Sequence, residues 1–231
     1  MSETRKRFHE ELEKLERDIM AMGQLAEEAV GLSVDALVRR DDGLARQVID
    51  GDDPVDELYI SVEQRTLEML AMQTPVATDL RLISAILHIN THLERVGDMG
   101  VNIAKTYLSV SAQAGNPTVL SHLQEMADVT REMIRTALQA FATRDLELCL
   151  KLPEMDDPVD RLNMGMYEEV AALAGDPAML EWGLRMNIIA RQLERVGDNA
   201  VDIAEQVGFL LTGEFREFTD ASHPVPRMPS A

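Results

Sequence analysis

Cysteine is nearly absent: Cys149 stands alone in 231 residues, so no disulfide can form within the chain and a zinc site of several thiolates is excluded. Such usage suits a reducing compartment. Aromatic residues are also scarce, at 4% against 45% hydrophobic, which leaves Leu, Ala, Val, Ile and 14 Met to build an interior. That palette favours helices, and no alternating run of β-branched and aromatic residues offers a strand. Basic residues are outnumbered, 22 against 41 acidic, for a net charge of −19. A surface of that sign repels phosphate backbones and anionic lipid, so direct nucleic-acid binding is not expected, whereas cations and basic partner surfaces are favoured. Long hydrophobic runs are missing too. The stretch from Leu82 to Ile89 is short and interrupted by Ser84 and His88, and MSETRKRFHEELEKLERDI at the start has no apolar signal core. A cytoplasmic location is therefore expected. Finally, there is no P-loop, no GxSxG, no Gly-rich dinucleotide turn and no Glu-x-x-His pair of the di-iron type. Cys149, in LELCLKL, reads as a packed thiol.

What the chain does have is a repeat. LERVGD occupies residues 93–98 and again 193–198, and Val101, Ile103 and Ala104 recur as Val201, Ile203 and Ala204. Upstream, the DDPVD of residues 52–56 returns at 156–160. Two blocks in the same order imply a duplicated unit of about one hundred residues, longer than ordinary solenoid repeats. Leu82, Ile86, Ile89, Leu93, Val96, Gly100, Ile103, Tyr107 and Val110 follow a three-four spacing, repeated from Trp182 to Leu210. Each stripe predicts a helix of about 50 Å packed in a bundle. A first helix is marked from Phe8 to Ala29 and a second from Val55 to Met72, with counterparts over Leu120 to Phe141 and Val159 to Leu173. Punctuation sets the boundaries: Asp41–Asp42–Gly43, Pro75, Asn116–Pro117 and Gly175–Asp176–Pro177. The expected fold is all-α, two tandem antiparallel three-helix bundles spanning residues 1–113 and 114–213. The Pro-containing stretch 214–231 has no periodic stripe and is expected to be disordered.

Glu94 and Asp98 are four residues apart, hence on one helix face, and Glu194 and Asp198 repeat the arrangement. Like charges at that spacing repel, and Arg95 and Arg195 could offset them in part. Folding the second and third helices about Pro75 brings further acids to the same height: Asp56 precedes the proline by nineteen residues and Glu94 follows by nineteen, while Asp52 and Asp98 are each twenty-three away. About Pro177, Asp160 and Glu194 are each seventeen residues distant, and Asp156 and Asp198 each twenty-one. Four carboxylates at one level suit a hard cation such as magnesium, calcium or manganese, and iron or zinc can also be so held. The competing reading is a solvated acidic face with Arg partners. Asp52 and Asp156 are the weaker ligands, because Pro54 and Pro158 are suited to restart a helix with Asp53 or Asp157 as its N-cap. Gly97 and Gly197 are read as permitting close helix approach. His88 and His92 have Ile188 and Gln192 as counterparts, which favours surface or packing roles. Asp202 continues the acidic line where the first unit has Asn102.

LERVGD followed by VNIA or VDIA, QTPVATDLR at 73–81 and the doubled three-helix layout resemble the PhoU family of bacterial phosphate-signalling regulators, over about residues 8–215. The resemblance implies two-fold repeats of three-helix bundles, often dimeric, with metal ions or clusters on E(D)xxxD motifs that Glu94, Asp98, Glu194 and Asp198 match. It also implies a negative regulator, not an enzyme, coupling the phosphate ABC transporter, through its cytoplasmic ATPase component, to the sensor histidine kinase of the phosphate regulon. Contact with the membrane would be peripheral, through those partners. AMLEWGLR in the second unit lacks the Asp79–Leu80–Arg81 of the first, which implies different partner contacts. The rival is a metal-dependent hydrolase or ferroxidase using surface carboxylates; a third reading is a helical scaffold that binds no metal.

Overall fold

A computed structural model describes residues 3–72 and 75–218, and every regular element among them is α-helical. Seven helices follow in order: α1 (Glu3–Arg39), α2 (Asp42–Asp50), α3 (Asp53–Met72), α4 (Ala77–Leu108), α5 (Pro117–Thr143), α6 (Leu146–Ala171) and α7 (Pro177–Thr212). Capping matches the sequence punctuation. Asn116 accepts from the amides of Thr118 and Val119, and Asp176 from those of Ala178 and Met179, each just before a proline at the first helical position.

Two differences from the sequence reading concern the middle helix of each unit. In the first unit it is split into α2 and α3 at Gly51–Asp52, and in the second it runs unbroken as α6 from Leu146, well before the expected Val159. Both copies carry the Asp-Asp-Pro step, so proline alone does not decide. The difference lies one position upstream, where Gly51, a poor helix former that here caps α2, is replaced by Met155. Buried Leu146, Cys149 and Leu152 before the step, with Val159, Met166 and Val170 after it, hold α6 against its neighbours despite Pro153 and Pro158. Asp157 is accordingly not an N-cap, and α3 begins at Asp53 rather than after it.

The repeat extends to unusual backbone. Arg40 and Arg144, at the equivalent turn of each unit, both have positive φ, 56° and 57°. Each is followed by an aspartate, Asp41 or Asp145, that caps the next helix through its side chain.

The long helices α1, α4, α5 and α7 pack together, with α2 and α3 against α1 and α4, and α6 against α5 and α7. A single apolar core runs through both units, from Leu15, Ile19 and Met22 on α1 through Ile86, Ile89 and Leu93 on α4 to Met186, Ile189 and Leu193 on α7. Ion pairs Glu27–Arg131 and Glu16–Arg144, both at 2.6 Å, tie α1 to the second unit in antiparallel register. Gly100 lets α4 approach α1 so closely that a Cβ there would lie 2.9 Å from the Ala29 carbonyl carbon and 3.0 Å from the Val30 nitrogen. Beyond α7, residues 214–218 turn back along it: the Phe218 amide donates to Glu205 Oε1 at 2.7 Å and its ring lies against Gly208. The rest of the expected disordered stretch, 219–231, lies outside the described residues.

Candidate functional site

Each unit folds its middle and last helices into a hairpin whose register follows the proline arithmetic. Asp156 of α6 lies against Gly197 of α7, one residue from the Asp198 expected to face it, and Val55 and Asp52 lie against Gly97. The motif glycines therefore have a local job. A Cβ at Gly197 would fall well inside van der Waals contact with Asp156 Oδ1, so the missing side chain is what seats that carboxylate.

In the second unit the acids come from two i, i+4 pairs, Asp156 with Asp160 on α6 and Glu194 with Asp198 on α7. Burial pushes the Asp156 carboxyl up to about 7, and the neighbouring charges of Asp160, Asp198 and Glu194 push the same way. Glu194 is raised by burial and then by Asp198, and Asp198 by burial and then by Asp160 and Asp202. These mutual influences bind the four residues into one electrostatic cluster. In the first unit, burial followed by the charges of Asp56 and Asp98 raises Asp52; burial followed by Asp98 and Asp56 raises Glu94. Asp52 there immediately precedes α3, its carbonyl accepting from the Val55 amide at 2.9 Å, Asp56 stands in the first turn, and both are close enough to α4 to act on Glu94.

Exposure divides the members. Asp56, Asp98, Asp160 and Asp198 are exposed, whereas Asp52, Glu94 and Asp156 are half-buried and Glu194 is only 8% exposed, deeper than a surface site requires. Compensation comes from an unexpected arginine. Arg191, not Arg195, forms the ion pair with Glu194 Oε1, while Arg95 and Arg195 act only through longer-range attraction. Glu194 Oε2 and Asp156 Oδ1 are buried with no hydrogen-bonding partner. The donor set is thus all oxygen, anionic and short of positive charge, which fits a hard cation in its chemistry. As the side chains stand, no three His, Cys, Asp or Glu among the described residues are arranged to hold a metal ion.

The sequence reading did not foresee the neighbourhood of His88 and His92. Both line a cavity against α7, and His92 Nδ1 lies 2.9 Å from Asn199 Oδ1 and 3.5 Å from Asp202 Oδ2. Glu205 and Gln206, 6% and 7% exposed, line the same cavity and were also missed. The contact joins helices of different units, so neither hairpin register nor helical spacing encodes it. Its one trace is that Asn199, Asp202 and Glu205 replace Met99, Asn102 and Lys105 of the first copy.

Fold and site together define a duplicated helical bundle in which each unit carries a cluster of carboxylates across a helix hairpin. Comparison with known proteins agrees on the duplication: the PhoU domain matches residues 19–106 and 123–207, one match in each unit. The phosphate-specific transport system accessory protein PhoU homolog of Caulobacter vibrioides is 33% identical over 212 residues, covering 91% of this chain and 92% of that protein. The crystal structure of PhoU from Pseudomonas aeruginosa superposes with a TM-score of 0.85 at 33% identity, covering 90% of this chain and 100% of that one. For the phosphate transport system regulatory protein PhoU from Streptococcus pneumoniae the TM-score is 0.82 at 27% identity, covering 90% and 99%. This chain belongs to the PhoU family.

Proposed function

We propose that the protein is a regulatory accessory of a phosphate-specific transport system. It acts as an adaptor between the cytoplasmic ATPase component of the phosphate ABC transporter and the sensor histidine kinase of the phosphate regulon, and holds the starvation response off while phosphate is plentiful. The observation that carries this reading is family membership spanning both units, with relatives covered almost end to end. Among the described residues no helix is long and apolar enough to cross a membrane, which accords with a protein that meets its membrane-bound partners by docking. Apolar side chains stand exposed in both units, Ile60 and Leu67 on α3 and Met164 and Tyr167 on α6, and supply surface for partners and for a homodimer. Deleting the gene is expected to switch on phosphate-scavenging genes in phosphate-rich medium; unchanged expression would remove the regulatory reading.

Metal binding on the acidic clusters is part of the proposal. A divalent or trivalent ion would supply the positive charge that Glu194 Oε2 and Asp156 Oδ1 lack, and Glu94, Asp98, Asp52 and Asp56 offer the equivalent oxygens in the first unit. Because the acids do not already converge on one point, binding requires exposed Asp98 and Asp198 to turn inward. Metal content of the purified protein is expected to fall in Glu94→Ala and Glu194→Ala variants. Metal content unaffected by both would dismiss these clusters as the site. The protein is proposed to have no turnover of its own; phosphatase or iron-oxidation activity in metal-loaded protein, lost in the same variants, would replace this reading with the enzymatic one.

A further inference from the structure

Between α4 and α7, beside the second acidic cluster and roofed by the segment after α7, lies a cavity of about 730 Å³. It shares Asp156 and Asp198 with that cluster, and Asp202, Glu205 and Glu217 complete five carboxylates in a wall that contains no Lys or Arg among the described residues. Among the neutral groups of the wall, His92 is set to accept. Asn199 Nδ2 donates to the Arg195 carbonyl at 2.7 Å, which turns its Oδ1 toward His92 and fixes the imidazole proton on Nδ1. In the neutral ring Nε2 is then left with a free lone pair. Gln206, 7% exposed, lines the cavity, and so does Asp156, whose Oδ1 is buried without a hydrogen-bonding partner.

The wall therefore calls for a cationic hydrogen-bond donor, and its geometry selects the kind. A bare metal ion needs three or more ligands within about 2.0–2.6 Å of one point, which acids spread along a single helix do not offer. Instead Asp198, Asp202 and Glu205 are strung along α7, covering about 10 Å of helix axis from first to last. At the far end Phe209 and Phe215 meet edge to face with centroids 6.4 Å apart, offering apolar surface and ring faces that attract ammonium groups. Charges spaced along a groove with an apolar end match a flexible chain of methylenes carrying several amines. We infer that this cavity binds a linear aliphatic polyamine, its ammonium groups paired with Asp202 and Glu205 and its methylenes packed toward Phe215.

Calorimetric titration of the full-length protein with spermidine, in a background of excess magnesium chloride, tests the inference. Saturable binding of one equivalent is expected, weakened at least tenfold in an Asp202→Asn, Glu205→Gln double variant. It should persist in a Glu57→Gln, Glu63→Gln variant, which removes the same charge from remote α3. Because the first variant alters a buried group, Ser84→Leu provides an independent check: it introduces the residue found at the equivalent place of the other unit, keeps every charge and narrows the cavity from the α4 side, and should also weaken binding. No saturable binding, equal weakening in the two charge variants, or full binding by the Ser84→Leu protein would each overturn the inference.

Discussion

At the scale of single residues, the molecule retains groups that burial makes uncomfortable. Glu205 is only 6% exposed, and its carboxyl is pushed up to about 7 by burial, partly relieved by the Phe218 amide and aggravated by Asp202 and Glu217. An acid whose folded pKa is raised holds its proton in the folded state at a pH where the unfolded chain has lost it. Stability contributed through this group is therefore fully present near pH 4.5 and declines as pH rises to about 7. Glu205→Gln should flatten that decline, leaving stability unchanged near pH 4.5 and raising it at pH 8 by about 1–3 kcal/mol, read from urea unfolding at the two pH values. An equal effect of the substitution at both would show that Glu205 is not the titrating group. The acidic pairs were legible at this scale because i, i+4 spacing and equidistance from a proline are linear properties of a sequence. Glu205 was not, since its burial depends on the segment after α7 folding back and on a helix of the other unit.

The helices show where local rules hold and where packing overrides them. Nine-residue α2 buries only Ala45 and Val48, too few positions to form a readable stripe, and the first half of α6 was hidden behind prolines that usually end helices. Two caps, by contrast, could be read directly from the prolines beside them, Asn116 and Asp176, whereas Asp145 has no such neighbour and was not read. Asp145 Oδ1 accepts from the amides of Glu147 at 2.9 Å and Leu148 at 3.3 Å, so Asp145→Ala should cost about 1 kcal/mol in thermal or urea unfolding. Two helical glycines should respond in opposite directions to one and the same methyl group. At Gly165 on α6 an added Cβ would meet nothing within 4 Å, and Gly165→Ala should stabilise by about 0.5–1 kcal/mol through helix propensity. At Gly100 the added methyl would meet the backbone of α1, so Gly100→Ala should destabilise by about 1–3 kcal/mol as the two helices separate. Similar stabilisation by both would mean that α1 and α4 are not in close contact.

On the scale of the whole molecule, the question raised by a duplicated sequence is whether the two copies behave as two bodies or as one. Sequence spacing predicts the three-helix units but is silent on how they meet, because the contacting faces of α1 with α5 and of α4 with α7 carry ordinary helical stripes. The structure places those four long helices together around one apolar core, with Glu27–Arg131 and Glu16–Arg144 bridging the units at its edge. Partly exposed ion pairs of this kind contribute little, so the coupling must come from buried side chains such as Ile19, Met22, Met133 and Ile134, all fully buried. A shared core ties the unfolding of one copy to that of the other. Trp182, the single tryptophan, sits buried on α7 and reports the second unit, while far-UV circular dichroism reports all seven helices. Leu15→Ala removes a fully buried side chain from α1 in the first unit and should cost about 2–5 kcal/mol. In a single cooperative body, Trp182 fluorescence and circular dichroism should shift together to lower urea by the same amount. If the tryptophan transition stayed in place while the dichroism split into two steps, the copies would be independently stable, and the seam between α4 and α7 would be a docking contact that unfolding of the first unit leaves behind.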